Sequence, residues 1–343
     1  MSKIIRGTAL AVAAALIVSA GLSTQTVAQT KILVHIFAPP QYPNNSHGWV
    51  YLKKNIERDT QGRVTFQFTN GKVGPPPRNW NLVTRGTVDA AYLHTGFERK
   101  RLWLPEIGRL TGLTPTATAM SVASWRTYKK FFEKANEFKG VKLLSLYSFS
   151  GENVWSRSKP VNNIDDLKGM KLRTGAGLAA NILKALEVAP VPSLAAEIFP
   201  LVSKGVVDGM TGPAALVKVL KVDQFIKHGT IFPGSLFNLV WTPILSKKKW
   251  DGISKSDQKI IEKYLGEGLG RSVAGEWDRR NTAAKIAMAK AGVKITQANP
   301  DLVAAVNKKV ARFTDEWFER AKNRGVDGPA ALAFYKEQLK SLK

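Results

Sequence analysis

The sequence predicts an α/β protein of two lobes, each a largely parallel sheet flanked by helices. Short apolar runs with strand periodicity alternate with amphipathic helical segments, and the connections are short, which is typical of parallel sheets. The chain has 343 residues, more than one ordinary core accommodates. Hydrophobic residues make up 44% of the chain and charged residues 22%, the balance of a globular protein rather than a disordered one.

The N-terminus has the pattern of an export signal. Lys3 and Arg6 supply positive charge, residues 9–18 form an apolar run, and small residues precede position 29. An uncleaved anchor is disfavoured, because the apolar run is short for a bilayer and the chain then turns small and polar. We therefore expect residues 1–28 to be removed and the mature protein to be periplasmic. The absence of cysteine is compatible with export at this size.

The first half of the chain predicts alternating elements in this order. Residues 32–37 are apolar and form a strand, which prolines end. Residues 49–58 have helical spacing, whereas 64–68 alternate with the period of a strand. The elements predicted after a glycine- and proline-rich loop at 71–77 are a helix at 80–84, a strand at 88–93, a long helix at 116–139 and a strand at 141–149.

The second half predicts a new set of elements after a crossing at residues 149–151. The segment 232–243 is extended and marks the return crossing, and 252–290 is strongly helical. A helix of about 30 residues would reach about 45 Å, enough to lie across both lobes. The other predicted elements are strands at 154–156 and 170–173 and helices at 178–186, 301–322 and 329–342. The predicted bounds are 29–150 plus about 239–280 for lobe I and 151–238 plus about 281–343 for lobe II, with a ligand cleft between them.

The net charge of +25 is large, but its distribution argues against nucleic acid. Lysine pairs such as Lys53 and Lys54 are short and far apart, and no basic helix is sustained over several turns. The predicted export of the protein also argues against nucleic-acid binding. We expect the charge to speed the approach of anionic ligands.

The sequence contains no recognisable catalytic set. Cysteine is absent, no GxSxG motif occurs, and the histidines lack the spacing of a zinc site. We therefore predict no enzyme activity, no cofactor and no metal. The four histidines are His35, His47, His94 and His228.

Arg173 is the sharpest candidate for a binding residue. It ends a predicted strand, and a glycine turn and the start of a helix follow, so a guanidinium and free N–H groups point at one place. The turn from Gly175 to Gly177 also matches the GxGxxA dinucleotide fingerprint, with Glu197 at a suitable distance. Two prolines before Glu197 are poor for a central strand, so a nucleotide-dependent enzyme is the alternative rather than the main hypothesis.

Several motifs together resemble one known family. DLKGMKLR at 166–173 and EIFPLVSKGVVDG at 197–209 carry the likeness in the second lobe. TQGRVTFQFTNGKVG at 60–74, VTRGTVDAAYL at 83–93 and KKKWDGISKSDQKII at 247–261 carry it elsewhere. On these motifs the chain resembles the substrate-binding proteins of TRAP transporters, the DctP family, over nearly all of its mature length.

The resemblance implies a fold like that of periplasmic binding proteins, with crossing strands, a long helix and a cleft that closes by a hinge. It implies that the protein delivers an organic acid to the membrane subunits of a permease and performs no chemistry on it. The arginine of the family's K-[LI]-R motif holds the ligand carboxylate, so Arg173 would have that role. A monomer is expected. A periplasmic receptor that serves a sensor remains an alternative.

Two departures from the family pattern bear on the ligand. Asn153 stands where some members have a second basic residue, with Arg157 displaced by several positions. Thr211 lies where an acidic or amide residue is common. Both changes disfavour sialic acid or a compact dicarboxylate and favour a monocarboxylate with an apolar or aromatic body. The predicted ligand-binding residues are Arg173, Asn153, Trp155, Thr211 and Pro213 from the second lobe, and Phe37, Gln41, Pro76, Tyr92, Thr95 and Trp241 from the first lobe or the crossings.

Overall fold

The computed structural model describes residues 29–342 and contains two six-stranded sheets flanked by helices, which confirms the two-lobed α/β prediction. The predicted signal segment, 1–28, lies outside the described residues. The strands are β1 Thr30–Val34, β2 Val64–Phe68, β3 Ala90–His94, β4 Val141–Leu143, β5 Tyr147–Ser148, β6 Asn153–Ser156, β7 Lys171–Thr174, β8 Ala189–Pro192, β9 Gly209–Gly212, β10 His228–Ile231, β11 Val240–Ser246 and β12 Lys294–Gln297. The α-helices are α1 Val50–Asp59, α2 Asn79–Thr84, α3 Ala117–Thr127, α4 Leu178–Ala185, α5 Ala195–Ser203, α6 Ala214–Val219, α7 Lys247–Asp251, α8 Lys255–Glu262, α9 Glu267–Lys290, α10 Pro300–Val310, α11 Arg312–Lys322 and α12 Gly328–Lys340.

The first sheet has the order β2-β1-β3-β11-β4, with β5 also paired to β11. β1 and β2 are parallel with Ile32 opposite Phe66, whereas β11 runs antiparallel to β3. The structure shows the alternation that predicted β2. Val64 and Phe66 are buried, whereas Gln67, which lies between Phe66 and Phe68, is exposed. Helix α1 closes this core with Leu52 and Ile56.

The second sheet has the order β12-β10-β6-β9-β7-β8. β7 and β9 are parallel with Arg173 opposite Met210, so Arg173 lies at the carboxyl end of an inner strand. β8 contains Pro190 and Pro192 and still forms a strand, because it is at the edge of the sheet. As the two prolines predict, this segment does not form a central strand.

The chain passes from the first sheet to the second between β5 and β6 and returns between β10 and β11. The two crossing segments lie side by side, since Glu152 and Phe237 form an isolated antiparallel bridge. Ser148 Oγ also donates to the carbonyl oxygen of Leu239 at 3.1 Å. The entrance and exit of the second lobe are thus hydrogen-bonded to each other.

Helix α9 has 24 residues and is about 36 Å long, and it packs against α3 on one side and α6 on the other. The prediction of one continuous helix over 252–290 is wrong at its start. Gly266 breaks it with a φ of +63°, and a Cβ there would lie 2.5 Å from the Trp125 ring. The long helix predicted over 116–139 also ends early, because α3 stops at Thr127 and is followed by short π and 3₁₀ segments.

The C-terminal helices contact both lobes. α10 packs against α4, while α12 packs against α3 of the other lobe. This segment was expected to belong wholly to lobe II. None of the helices within residues 29–342 combines the length and apolarity that crossing a membrane would require.

Candidate functional site

The guanidinium of Arg173 lies at the end of β7 with only 6% of the residue exposed. Its Nε donates to Ser193 Oγ at 3.0 Å, and its Nη2 donates to the Ser193 carbonyl oxygen at 2.6 Å. These two bonds occupy the side edge of the guanidinium. Nη1 donates to no residue in the described part of the chain, so the end edge formed by the two terminal nitrogens is available to a carboxylate.

Burial lowers the pKa of Arg173 to about 10, while attraction to Glu152, Tyr42 and Glu197 acts in the opposite direction. The side chain therefore remains positively charged at neutral pH. No carboxylate oxygen within residues 29–342 lies within 4.0 Å of its nitrogens. A buried charge without a close counter-ion is costly, and an anionic ligand would supply that counter-ion.

Glu152 is the buried acid whose charge most strongly opposes the lowering of the Arg173 pKa. It lies just before β6, is 3% exposed, and its Oε2 has no hydrogen-bond partner among the described residues. Burial raises the pKa of its carboxyl, and Arg173, the Thr211 hydroxyl and Arg109 oppose that rise. The site thus combines a positive group with an unsatisfied acceptor.

A continuous path of aromatic rings leads from the first sheet toward Arg173. Trp241 stacks on Phe149 with ring centroids 5.1 Å apart, and Phe149 stacks on Trp277 at 4.2 Å. Tyr42 packs edge-on against Trp277 at 5.2 Å and lies close enough to Arg173 to affect its pKa. The path continues on the side of the first sheet through Tyr92, 5.7 Å from Trp241, to Phe37, 4.5 Å from Tyr92.

Phe37, Tyr42 and Trp241 are half-buried residues, in contrast to the fully buried aromatic residues of the cores. Their arrangement produces an apolar wall beside one buried cation. Such a combination of apolar surface and a few polar groups is typical of small-molecule sites.

The two lobes touch at the glycine turn. Gly177 has a φ of +80°, and a Cβ there would lie 3.2 Å from Arg99 Cδ, which belongs to the first lobe. A Cβ at Gly175 would meet the Leu239 side chain at 3.7 Å. Side chains of the protein itself therefore lie against the turn that matches the dinucleotide fingerprint.

The structure brings some of the predicted residues together near Arg173. Thr211 is within reach of Glu152, and Phe37, Tyr92 and Trp241 belong to the aromatic path. Thr95 is buried on the first lobe, where its hydroxyl donates to Glu106 Oε1 at 2.6 Å.

Other predicted residues have structural partners. The Asn153 side chain donates to the Gly151 carbonyl at 3.1 Å and accepts from the Phe232 N–H at 2.8 Å. The Trp155 indole is fully buried and donates to the Gly212 carbonyl at 2.7 Å.

The remaining candidates lie at the ends of elements. Pro213 is buried and precedes α6, Pro76 begins a short 3₁₀ turn, and Gln41 is exposed. Arg157, the alternative to Asn153, lies beyond Ser156 at the opposite end of its sheet from Arg173 and packs against Gly205. Four residues of this region carry no periodic pattern that would predict their place, because all lie in loops or crossings: Glu152, Tyr42, Phe149 and Ser193.

Known proteins resemble this chain over most of its length. The family model DctP, described as bacterial extracellular solute-binding protein, family 7, matches residues 35–321. A Comamonas testosteroni protein named outer membrane transporter protein TsaT is 30% identical over 95% of this chain and 96% of its own length.

Solved structures show the same fold. A TRAP periplasmic solute-binding protein from Bordetella bronchiseptica, with bound (R)- and (S)-mandelate, is 32% identical, has a TM-score of 0.87 and covers 91% of this chain and 99% of its own. A TRAP solute-binding protein from Rhodoferax ferrireducens with copurified benzoate has a TM-score of 0.81 at 21% identity, with 91% and 98% coverage. The chain belongs to the DctP family of bacterial extracellular solute-binding proteins.

Proposed function

We propose that the protein is a periplasmic receptor that captures a small organic monocarboxylate and delivers it to the membrane subunits of a TRAP transporter. The observation that carries the proposal is the end edge of the buried Arg173 guanidinium, which has no partner in the described chain. A ligand carboxylate would accept two parallel hydrogen bonds there and neutralise the buried charge.

The body of the ligand is apolar or aromatic in this proposal. Phe37, Tyr42 and Trp241 are aromatic and only half-buried, and aromatic rings pack favourably against such side chains. The mandelate bound by the Bordetella bronchiseptica relative has the same combination of one carboxylate and one ring. A compact dicarboxylate is disfavoured, because the Asn153 amide already has two backbone partners.

Ligand capture proceeds by hinge closure. Arg173 belongs to the second sheet and Trp241 to the first, so a ligand that contacts both favours the closed arrangement. The hinge lies at the paired crossings, where Glu152 and Phe237 form their bridge. Arg99 of the first lobe packs against Gly177 of the second, so this contact would change as the lobes move.

Export, monomeric state and the absence of chemistry on the ligand belong to the same proposal. Residues 1–28 would be removed on export, and an intact mass that begins after position 28 would support this. A receptor that serves a sensor uses the same site, and genes for TRAP membrane subunits beside the gene for this chain would favour the transporter.

The test is a ligand panel followed by one variant. Thermal shift is measured with aromatic and aliphatic monocarboxylates, dicarboxylates, NAD and nucleotides. We expect stabilisation by monocarboxylates only, and stabilisation by nucleotides alone would favour the enzyme alternative.

Calorimetry of Arg173→Ala with the best acid should show binding weaker by two to three orders of magnitude, since an uncompensated buried charge costs about 3–5 kcal/mol. Arg157→Ala is the matched control, because that arginine packs at the other end of the same sheet. Unchanged affinity in Arg173→Ala would remove Arg173 from the site.

A further inference from the structure

The Arg173 side chain has a single hydrogen-bond partner among residues 29–342, and that partner is Ser193. Nε donates to Ser193 Oγ at 3.0 Å, and Nη2 donates to the Ser193 carbonyl oxygen at 2.6 Å. Two bonds along one edge fix the plane of a guanidinium as well as its position. They also remove much of the rotational freedom of a long arginine side chain.

Ser193 is itself held in place, although it lies in the connection between β8 and α5. Its N–H donates to the Thr174 carbonyl oxygen at 3.1 Å, which attaches it to the end of β7. The next residue, Leu194, donates its N–H to Glu197 Oε2 at 2.8 Å. The two acceptors that Arg173 uses therefore belong to a connection that is fixed on both sides.

Glu197 contributes to this connection through the backbone. It lies in the first turn of α5, and its carboxylate accepts from the N–H of Leu194, the residue that precedes the helix. This is the contact that the acid of a capping box makes. The acidic residue at the end of the apparent dinucleotide fingerprint is thus engaged with its own helix, where it supports the connection that carries Ser193.

The bonds on one edge of the Arg173 guanidinium set the direction of the other edge. Without the Ser193 hydroxyl, Nε loses its acceptor, while the bond from Nη2 to the Ser193 carbonyl oxygen remains. The guanidinium can then turn about that single bond. A carboxylate that binds to the free edge has to order the side chain as it binds, and this ordering weakens the affinity.

We propose that Ser193 is the positioning residue of the carboxylate site and holds the free edge of Arg173 in its binding orientation before the ligand arrives. This inference rests on the proposed function and deepens it. Because the Ser193 hydroxyl acts on the ligand only through the guanidinium, its contribution to affinity disappears when Arg173 is absent. A residue that only stabilises the second lobe would not show this dependence.

The experiment is calorimetry with mandelate, or with benzoate if the wild type binds benzoate more tightly. We expect Ser193→Ala to bind about fivefold to tenfold more weakly than wild type, the effect of ordering one long side chain on binding. Ser193→Thr restores a hydroxyl at the same position and should bind within about twofold of wild type. Ser203→Ala, at the other end of α5, is the matched control and should also bind like wild type. Thermal melting of each variant shows that folded proteins are being compared.

The dependence on Arg173 is measured by adding Ser193→Ala to Arg173→Ala, with ligand-observed NMR for the weaker binding. The double variant should bind within about twofold of Arg173→Ala. An equal loss of affinity in both backgrounds, or a Ser193→Thr variant as weak as Ser193→Ala, would overturn the inference. If Arg173→Ala binds weakly while Ser193→Ala loses less than about threefold, only the inference fails. If Arg173→Ala binds as tightly as wild type, the proposed function fails.

Discussion

Replacing Arg173 by lysine separates charge from geometry at the centre of the site. The substitution keeps a cation but removes the planar guanidinium, which bonds Ser193 along one edge and leaves the other edge free. An ammonium cannot make the two bonds to Ser193 and a two-pronged contact with a carboxylate at once. We therefore expect Arg173→Lys to bind the acid more weakly than wild type and more tightly than Arg173→Ala.

The magnitude follows from the lost contact. One charge-assisted hydrogen bond contributes about 1.5–3 kcal/mol, which corresponds to a roughly tenfold to hundredfold loss of affinity. Burial adds a pH effect. The same surroundings that lower the pKa of Arg173 to about 10 would also lower the pKa of a lysine ammonium below its ordinary value.

The assay is calorimetry of wild type and Arg173→Lys at pH 6.5 and at pH 9. Wild-type affinity should be the same at both values, because Arg173 stays charged and burial lowers the pKa of His94 so that it is neutral throughout. Affinity of the variant should fall further at pH 9 as its ammonium loses a proton. Binding within threefold of wild type at both pH values would refute the argument that the planar group is used.

Three further outcomes test other parts of the structure. Two arginines hold Glu276 and lower its pKa from 4.5 to about 2, so its ionised form stabilises the fold above pH 4.5 and this contribution disappears as the pH falls toward 2. Glu276→Gln should thus cost about 1 kcal/mol at pH 7 by urea denaturation, and the difference should shrink at pH 3. An equal cost at both pH values would contradict a role of the ion pairs in stability. Trp241→Leu should weaken the binding of an aromatic acid about tenfold and leave the binding of a short aliphatic acid unaffected. Equal losses of affinity for the two acids would show that the Trp241 ring does not pack against the ligand. Gly177→Ala should lower the free energy of unfolding by about 1–3 kcal/mol, because Gly177 has a positive φ and a Cβ there would press on Arg99. Gly175→Ala is the control and should melt like wild type, because a Cβ at Gly175 would lie at an ordinary contact distance from Leu239.

The position of Arg173 could be predicted because its signal is local. A short apolar strand, a glycine turn and an amphipathic helix follow one another, and these elements appear at Lys171–Thr174 and Leu178–Ala185. The free edge of the guanidinium could not be predicted, because it depends on Ser193, which arrives from a separate loop. Glu152 was missed for a similar reason, since a crossing segment has no periodicity that marks a buried side chain.

Trp155 shows a different limit. Its strand was predicted correctly, but helices cover both faces of such a sheet, so the sequence cannot tell which face borders the cleft. The indole packs with Ile198 and Met210 in the core of the second lobe. The break at Gly266 is likewise a tertiary effect, since the Trp125 ring comes from a helix about 140 residues earlier in the chain.

The edge strand β8 has a consequence for how this protein behaves at high concentration. Ala189 and Ser193 direct their N–H groups inward, to the carbonyls of Met170 and Thr174, so the residues between them that face outward are Pro190 and Pro192. Proline has no N–H, so Pro190 and Pro192 offer no donors along this edge of the sheet to an incoming strand from a second molecule. The two proline rings therefore disfavour extension of the sheet by a strand of a second molecule along β8, one of the routes by which β-proteins aggregate.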